Sequence, residues 1–475
     1  MQYTSTRSNI LTNASQAVLD GLAQDGGLYV PSSIPKLDYR DLKNKSYQEL
    51  AVLILSLYFE DFSNKEITNA VLKAYSSLNF THPLITGLRK YDADTYFLEL
   101  FYGKTSAFKD QALSIYPYLL KLAMDRHQID HLTILTATSG DTGKAAMESI
   151  ADVDGLSIAV LFPKDGTSPI QKLQMQTQHG KNVLPVAIEG NFDDAQNAVK
   201  TFFLKHDTLP ITSANSINIA RLFPQIIYYY DMYLRLHTDE FIDLYVPTGN
   251  FGNILAAYIA KEMGLPIRRL VVCTNENHVL YDFFKTGTYD ISNRKFKVTH
   301  SPSMDILISS NLERLLYFMF NDKEKVSKWM HDLKENKSFS LSKEETNKLQ
   351  SIFDTQMCSN QQTYENIKDV FFDKNILIDP HTATAMPQTK EDTKRVIVST
   401  ASPYKFPKLY GQLFDLMDHD DFHILNEVEL KTKEPFPENI RSLESAKPKF
   451  DLESSLEDIE NLLLKFIASG DNYVF

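Results

Sequence analysis

The spacing of apolar and polar positions changes along the chain. Up to about residue 85, apolar residues recur mostly at helical spacing. The segment 14–22 has this spacing and runs into Asp25-Gly26-Gly27, a strong turn signal. Leu28-Tyr29-Val30 then reads as a short strand stopped by Pro31, and 47–59 as a second amphipathic helix. From about 95 to 275 short apolar runs alternate with helical stretches. The pattern predicts strands at 96–100, 132–136, 158–162, 183–188, 243–246 and 270–274. Helices are expected at 111–126, from Thr142, from Ile170, from Asp193 and at 253–263. Such alternation predicts an α/β fold, a parallel sheet flanked by helices. Ligands of such sheets bind at loops leaving the carboxyl ends of strands.

The stretch 305–372 reads as mostly helical, with the charged run Asn321-Asp322-Lys323-Glu324-Lys325 as a solvated connection or helix face. Strand spacing returns at 395–400. Beyond Leu425 the chain is charged, then helical from about Leu456. No internal repeat or low-complexity segment interrupts it.

Composition narrows the class. A chain of 475 residues is long for one hydrophobic core and ordinary for two or three. At 43% hydrophobic and 23% charged residues, wholesale disorder is excluded. A net charge of −12 argues against nucleic acid as a partner, because phosphate contacts need a basic surface. It leaves room for a small anion in a locally positive pocket. Cys273 and Cys358 form neither a disulfide framework nor metal-ligand spacing, which fits a reducing cytosol. The start MQYTSTRSNI lacks a signal-like apolar run, and no window holds the roughly 20 apolar residues of a membrane helix. A cytoplasmic chain with no membrane partner and no metal is expected.

Five loops carry candidate chemistry. Gly103-Lys104-Thr105-Ser106-Ala107-Phe108-Lys109-Asp110 follows a strand and opens a helix, placing a lysine over the sheet. Schiff-base chemistry needs an amine of lowered pKa, which that setting favours. Ala137-Thr138-Ser139-Gly140-Asp141-Thr142-Gly143-Lys144 gathers hydroxyls and free N–H groups at a helix start, suiting a carboxylate or phosphate. Pro247-Thr248-Gly249-Asn250-Phe251-Gly252-Asn253 has two glycines for close backbone approach to a phosphate, and fits neither the dinucleotide nor the P-loop pattern. In Asn215-Ser216-Ile217-Asn218-Ile219-Ala220-Arg221, a helix would put Asn218 and Arg221 on one face with Asn215 a turn earlier. Two amides and a guanidinium fit a dianionic phosphate. Val396-Ile397-Val398-Ser399-Thr400-Ala401-Ser402-Pro403 closes an apolar strand with hydroxyls, one of which could meet a ring nitrogen. Singly, each admits a plain reading: a surface lysine, an N-cap by Asp141 or Thr142, a tight turn, a solvated helix face, a strand-end turn. As a set, several strand ends with anion-suited loops and one candidate Schiff-base lysine point to a pyridoxal-phosphate enzyme.

At these motifs the sequence resembles threonine synthases, fold-type II pyridoxal-phosphate enzymes. The likeness runs from Tyr3-Thr4-Ser5-Thr6-Arg7 to about Phe406. It includes AFKD at 107–110, TSGDTG at 138–143, NSIN at 215–218 and PTGNFGN at 247–253. It continues with TNEN at 274–277, SPSMDI at 301–306, SSNLERLL at 309–316 and DPHTA at 379–383. The resemblance implies pyridoxal 5′-phosphate held covalently by Lys109. It implies the cofactor phosphate on Gly249, Asn250, Phe251, Gly252 and Asn253, and Thr400 at the pyridine nitrogen. Ser139, Gly140, Asp141 and Thr142 would receive the substrate carboxylate; Asn215, Ser216, Asn218 and Arg221 would hold the substrate phosphate. The implied reaction is O-phospho-L-homoserine plus water giving L-threonine and phosphate. Two departures stand out: Lys104 replaces the proline that usually precedes Thr105, and Thr400-Ala401-Ser402-Pro403 replaces T-A-H-P.

The resemblance divides the chain into an N-terminal region at 1–90, a cofactor-binding α/β region at 91–425 with a smaller subdomain at about 130–230, and a helical extension at 426–475. The expected partner is a small-molecule substrate, and the expected assembly a monomer or weak homo-oligomer. Two alternatives stay open: a serine or threonine dehydratase of the same fold, and an inactive paralogue that binds pyridoxal phosphate or phosphorylated ligands.

Overall fold

The computed structural model describes residues 1–138, 140–164, 168–190, 192–206, 208–389 and 392–469. Among these, two sheets dominate. The larger has the order Phe353–Met357, Ile267–Thr274, Ile242–Pro247, Arg395–Ser399, Thr95–Glu99, Gly87–Lys90. Its strands run parallel except Gly87–Lys90, which pairs antiparallel to Thr95–Glu99 at the edge. The smaller is parallel throughout: Glu453–Ser454, Val183–Ile188, Leu156–Pro163, Leu132–Ala137, Ile211–Ser213. The continuous apolar runs have this cause. Helices cover both faces of a parallel sheet, so strands such as 132–137 and 183–188 are buried at every position.

The expected strands and helices are present, with ends moved by a few residues. The helix expected at 111–126 is two: Asp110–Leu113 and Tyr116–His127, with Pro117 in the first turn of the second. The helical stretch 305–372 also holds the strands Ser338–Ser340 and Phe353–Met357, the latter an edge of the larger sheet. Asn321 closes one helix in the left-handed conformation, and Asp322 caps the next, Lys323–Asn336.

The N-terminal region packs Ala14–Asp20, Tyr47–Tyr58 and Asn64–Ala74 beside a small antiparallel sheet of 3–5, 11–12 and 29–31. Reciprocal capping boxes, Ser46 with Glu49 and Ser63 with Glu66, start two of these helices. The C-terminal end belongs to the smaller sheet. Glu453–Ser454 extends it, and Ile459, Leu463 and Phe466 of helix Ile459–Ser469 share its apolar cluster. Among the described residues, no helix is long and apolar enough to cross a membrane.

Candidate active site

A cleft of about 890 Å³ opens at the carboxyl ends of both sheets, lined by Ala137, Pro247 and Thr400 where three strands finish. Lys109 enters it from a tightly held segment. Phe108 N–H donates to the Thr400 carbonyl (2.8 Å) and Ser402 N–H to the Ser106 carbonyl (3.0 Å). Asp110 accepts from the Thr105 hydroxyl (2.7 Å) and N–H (2.9 Å). A Cβ on Gly103 would lie 2.4 Å from that of Asp110, so the turn requires glycine.

The Lys109 ammonium nitrogen lies 3.3 Å from Ser303 Oγ and 3.5 Å from Asp141 Oδ2. Its pKa is lowered. Burial is the main cause; Asp141 pulls the other way, and Lys405 and Arg221 add to the lowering. The helix that follows Lys109 is short, four residues from Asp110 to Leu113. Asp110 is pushed up to about 6 by burial, against its bonds to Thr105.

Asp141 opens helix Asp141–Ile150, and its carboxylate is fully engaged. Oδ1 accepts from the buried Lys405 ammonium and from Gln171 Nε2 (2.8 Å); Oδ2 faces Lys109 and Ser303. Burial would raise this carboxyl, but Lys405 and Lys109 outweigh it and hold it well below the usual carboxylate range. The Thr138 hydroxyl accepts from the N–H groups of both Gly140 and Gly143 (2.9 Å each). Gly140 was expected to turn its N–H to an anionic ligand, but Thr138 already takes it. Thr142 and Asp141 line the cleft; Ser139 lies outside the described residues.

The loop 249–253 is arranged differently. Its carbonyls are taken from behind: Gly249 by the Ser309 hydroxyl (2.7 Å), Asn250 by the Asn311 N–H (3.1 Å) and amide (3.2 Å). Phe251 is left-handed, φ 66°, with its ring stacked on Phe284. Helix Gly252–Met263 follows, and its first N–H groups have no partner within the helix. Asn253 Oδ1 accepts from Tyr228 (2.7 Å) and Tyr229 (2.5 Å), while its buried Nδ2 has no partner. All five residues of this loop line the cleft.

Residues 215–221 divide in two. Asn215, Ser216 and Arg221 line the cleft; Asn218 does not. The shared helix face is absent, because the helix begins only at Ile219 and Asn218 caps it. Asn218 Oδ1 accepts from Ala220 N–H, and Nδ2 donates to Val18 and Ser213 carbonyls, which consumes the amide. Arg221 is buried, with one nitrogen on the Ala214 carbonyl and its Nε unpartnered. Burial lowers it to about 10, so it stays a cation at neutral pH. Lys104 sits 3.8 Å from Glu148 and does not line the cleft.

Reasoning from sequence missed Lys405, Gln171, Ser303 and His381. His381 is buried between Asp379 (2.7 Å from Nδ1) and the Ser303 N–H, which donates to its Nε2 (3.2 Å). Ser303 and His381 stand in SPSMDI and DPHTA, motifs of the resemblance that carry no role in the sequence alone.

These residues fit pyridoxal phosphate. A half-buried lysine of lowered pKa on the cleft meets the need for covalent attachment, and a helix start with an unpartnered amide donor beside it suits a phosphate. Fold and cleft together define a fold-type II pyridoxal-phosphate enzyme. The family model "Pyridoxal-phosphate dependent enzyme" matches residues 82–396, and "Threonine synthase N terminus" matches 2–75. A threonine synthase of Schizosaccharomyces pombe is 37% identical, over 90% of this chain and 92% of that one. The crystal structure of pyridoxal-phosphate-bound threonine synthase from Brucella melitensis is 34% identical with a TM-score of 0.88, covering 98% of this chain and 99% of that one. The yeast threonine synthase structure has the same TM-score of 0.88 at 32% identity, covering 98% and 99%. The chain belongs to the threonine synthase family.

Proposed function

We propose that this enzyme converts O-phospho-L-homoserine and water to L-threonine and phosphate, with two separate anion sites flanking Lys109. The observation that carries this reading is Arg221: a buried cation with an unpartnered Nε, on a cleft whose 249–253 loop is a second place for a phosphate. A dehydratase needs only one.

Pyridoxal phosphate, when bound, supplies a conjugated ring that accepts electrons released at the substrate carbons. Lys109 would hold it, with its phosphate toward 249–253 and the neutral Thr400 hydroxyl facing its ring. The Lys109 amine, when not engaged in holding it, would be placed to take the substrate Cα proton. Thr142 orients the substrate carboxylate. Arg221, with Asn215 and Ser216, would hold the substrate phosphate and stabilise its charge as the Cγ–O bond breaks after loss of a Cβ proton. Water adds its hydroxyl at Cβ; the three protons released from Cα, Cβ and water are returned to Cγ, to Cα and to the departing phosphate, with Lys109 as the carrier beside the carbons. Asn218 supports this segment from behind and touches no ligand.

We assign 1–90 to an N-terminal region, 91–425 to the cofactor-binding region with a smaller subdomain at about 130–230, and 426–475 to a C-terminal helical extension. Cys273 and Cys358 are free thiols, which supports action in the cytosol, and we assign a monomer or weak homo-oligomer. The test is an assay of the purified protein with pyridoxal phosphate. Phosphate and threonine should appear in equal amounts from O-phospho-L-homoserine, and no 2-oxo acid from serine or threonine. The reverse pattern would establish a dehydratase.

A further inference from the structure

Lys405 lies behind the cleft wall rather than in its lining, and its side chain has no exposed area. It donates to Asp141 Oδ1 and to the Thr105 carbonyl (3.1 Å). The other oxygen of Asp141 is the one that faces Lys109. One buried carboxylate thus stands between two lysines, one on each oxygen: Lys405 fully buried and Lys109 half-buried on the cleft.

A carboxylate with no second cation would bind the Lys109 ammonium strongly and favour that form. An ammonium has no lone pair, so it can neither attack a carbonyl nor accept a proton. The remaining charged groups do not supply the balance that Lys405 does. Arg221 repels Lys109 from helix Ile219–Leu222, and among the described residues its own bond is to the Ala214 carbonyl rather than to Asp141. Asp110 is held by Thr105, and Lys144 is paired with Glu148 at 3.1 Å. His381 presents its Nε2 as an acceptor to Ser303, with Asp379 on its far nitrogen. Among the described residues, Asp141 is the only carboxylate in ion-pair reach of Lys109.

We propose that Lys405 is a positioning residue that neutralises Asp141 and thereby leaves the Lys109 amine free to react. The proposal rests on the reading that Lys109 carries the cofactor. A purely mechanical alternative is a tether from Lys405 to the Thr105 carbonyl.

The experiment uses the full-length protein freed of cofactor. Pyridoxal phosphate is added across a range of pH, fixed with borohydride, and the labelled lysine found by peptide mapping. Lys405→Gln can keep both hydrogen bonds while losing the charge, and Lys405→Met loses both. In each variant the midpoint for labelling Lys109 should rise by about one pH unit or more. Asp141→Asn added to Lys405→Met should return it toward wild type, a rescue that a tether does not explain. The acid limb of the kcat profile of the loaded enzyme should move the same way. An unmoved midpoint in Lys405→Gln, whatever the melting temperature does, overturns the proposal. Label on another lysine in the wild type would instead overturn the Lys109 reading, and this proposal with it.

Discussion

Two helices begin at the cleft, each following a strand, and their first turns differ. At the start of helix Asp141–Ile150 the chain meets much of the site with its own groups. Thr138 accepts two N–H groups, and the Asp141 carboxylate sits where an anion would, compensated by two lysines and a glutamine. At 249–253 the carbonyls are drawn backward, and a buried amide donor is left without a partner. Both ends offer the positive pole of a helix. The second leaves its first N–H groups open to a ligand, whereas at the first Thr138 takes those of Gly140 and Gly143 and leaves only those of Asp141 and Thr142. A glycine-containing strand-to-helix loop is therefore poor evidence of an anion site until the fate of its donors is known.

The variants that probe this contrast differ widely in expected effect. Lys109 lies between the two ends, and Lys109→Ala should lower turnover about 10⁴-fold or more, on the scale of losing a covalent catalytic group. Steady-state phosphate release checks it, and near-normal turnover would place the chemistry elsewhere. Arg221→Ala should cost about 2–4 kcal/mol of transition-state stabilisation, roughly a hundredfold in rate. The cofactor absorption spectrum should stay unchanged, because the cofactor phosphate has its own loop. Loss of cofactor in this variant would merge the two sites into one.

The glycines separate the ends more finely. A Cβ on Gly143 would meet Thr138 Cγ2 at 2.4 Å and Val160 Cγ1 at 2.6 Å. Gly143→Ala should therefore destabilise the protein by about 1–3 kcal/mol with or without cofactor, read from denaturant unfolding. A Cβ on Gly252 meets nothing closer than 3.4 Å. Gly252→Ala should leave the cofactor-free protein as stable as wild type and weaken cofactor binding about tenfold, the cost of one charge-assisted contact. Equal damage to both forms by Gly252→Ala would make that loop an ordinary turn.

The same contrast explains what the sequence disclosed. Strand ends and the loops after them are local, so the position of Lys109, Thr400 and 249–253 at strand ends facing the cleft was legible from a few neighbouring residues, though not the role of each. The partners of Asp141 were not. Lys405 is 264 positions away, and nothing local marks a lysine after Ser402-Pro403 as buried. Asn218 misled for a related reason: a helical repeat was extended backward over a residue that is the helix cap. The strand Phe353–Met357 was hidden among helices because its five residues carry Asp, Thr and Gln, which blur an apolar run. Pro117 was the available signal that the helix at 111–126 breaks, since proline favours a helix's first turn.

Residue-resolved amide hydrogen exchange, with and without pyridoxal phosphate, tests the contrast between the two ends most directly. The N–H groups of Gly252, Asn253 and Ile254 should gain strong protection when the cofactor binds. Those of Gly140 and Gly143, already bonded to Thr138, should change little. Protection gained at 140–143 and none at 252–254 would contradict the account.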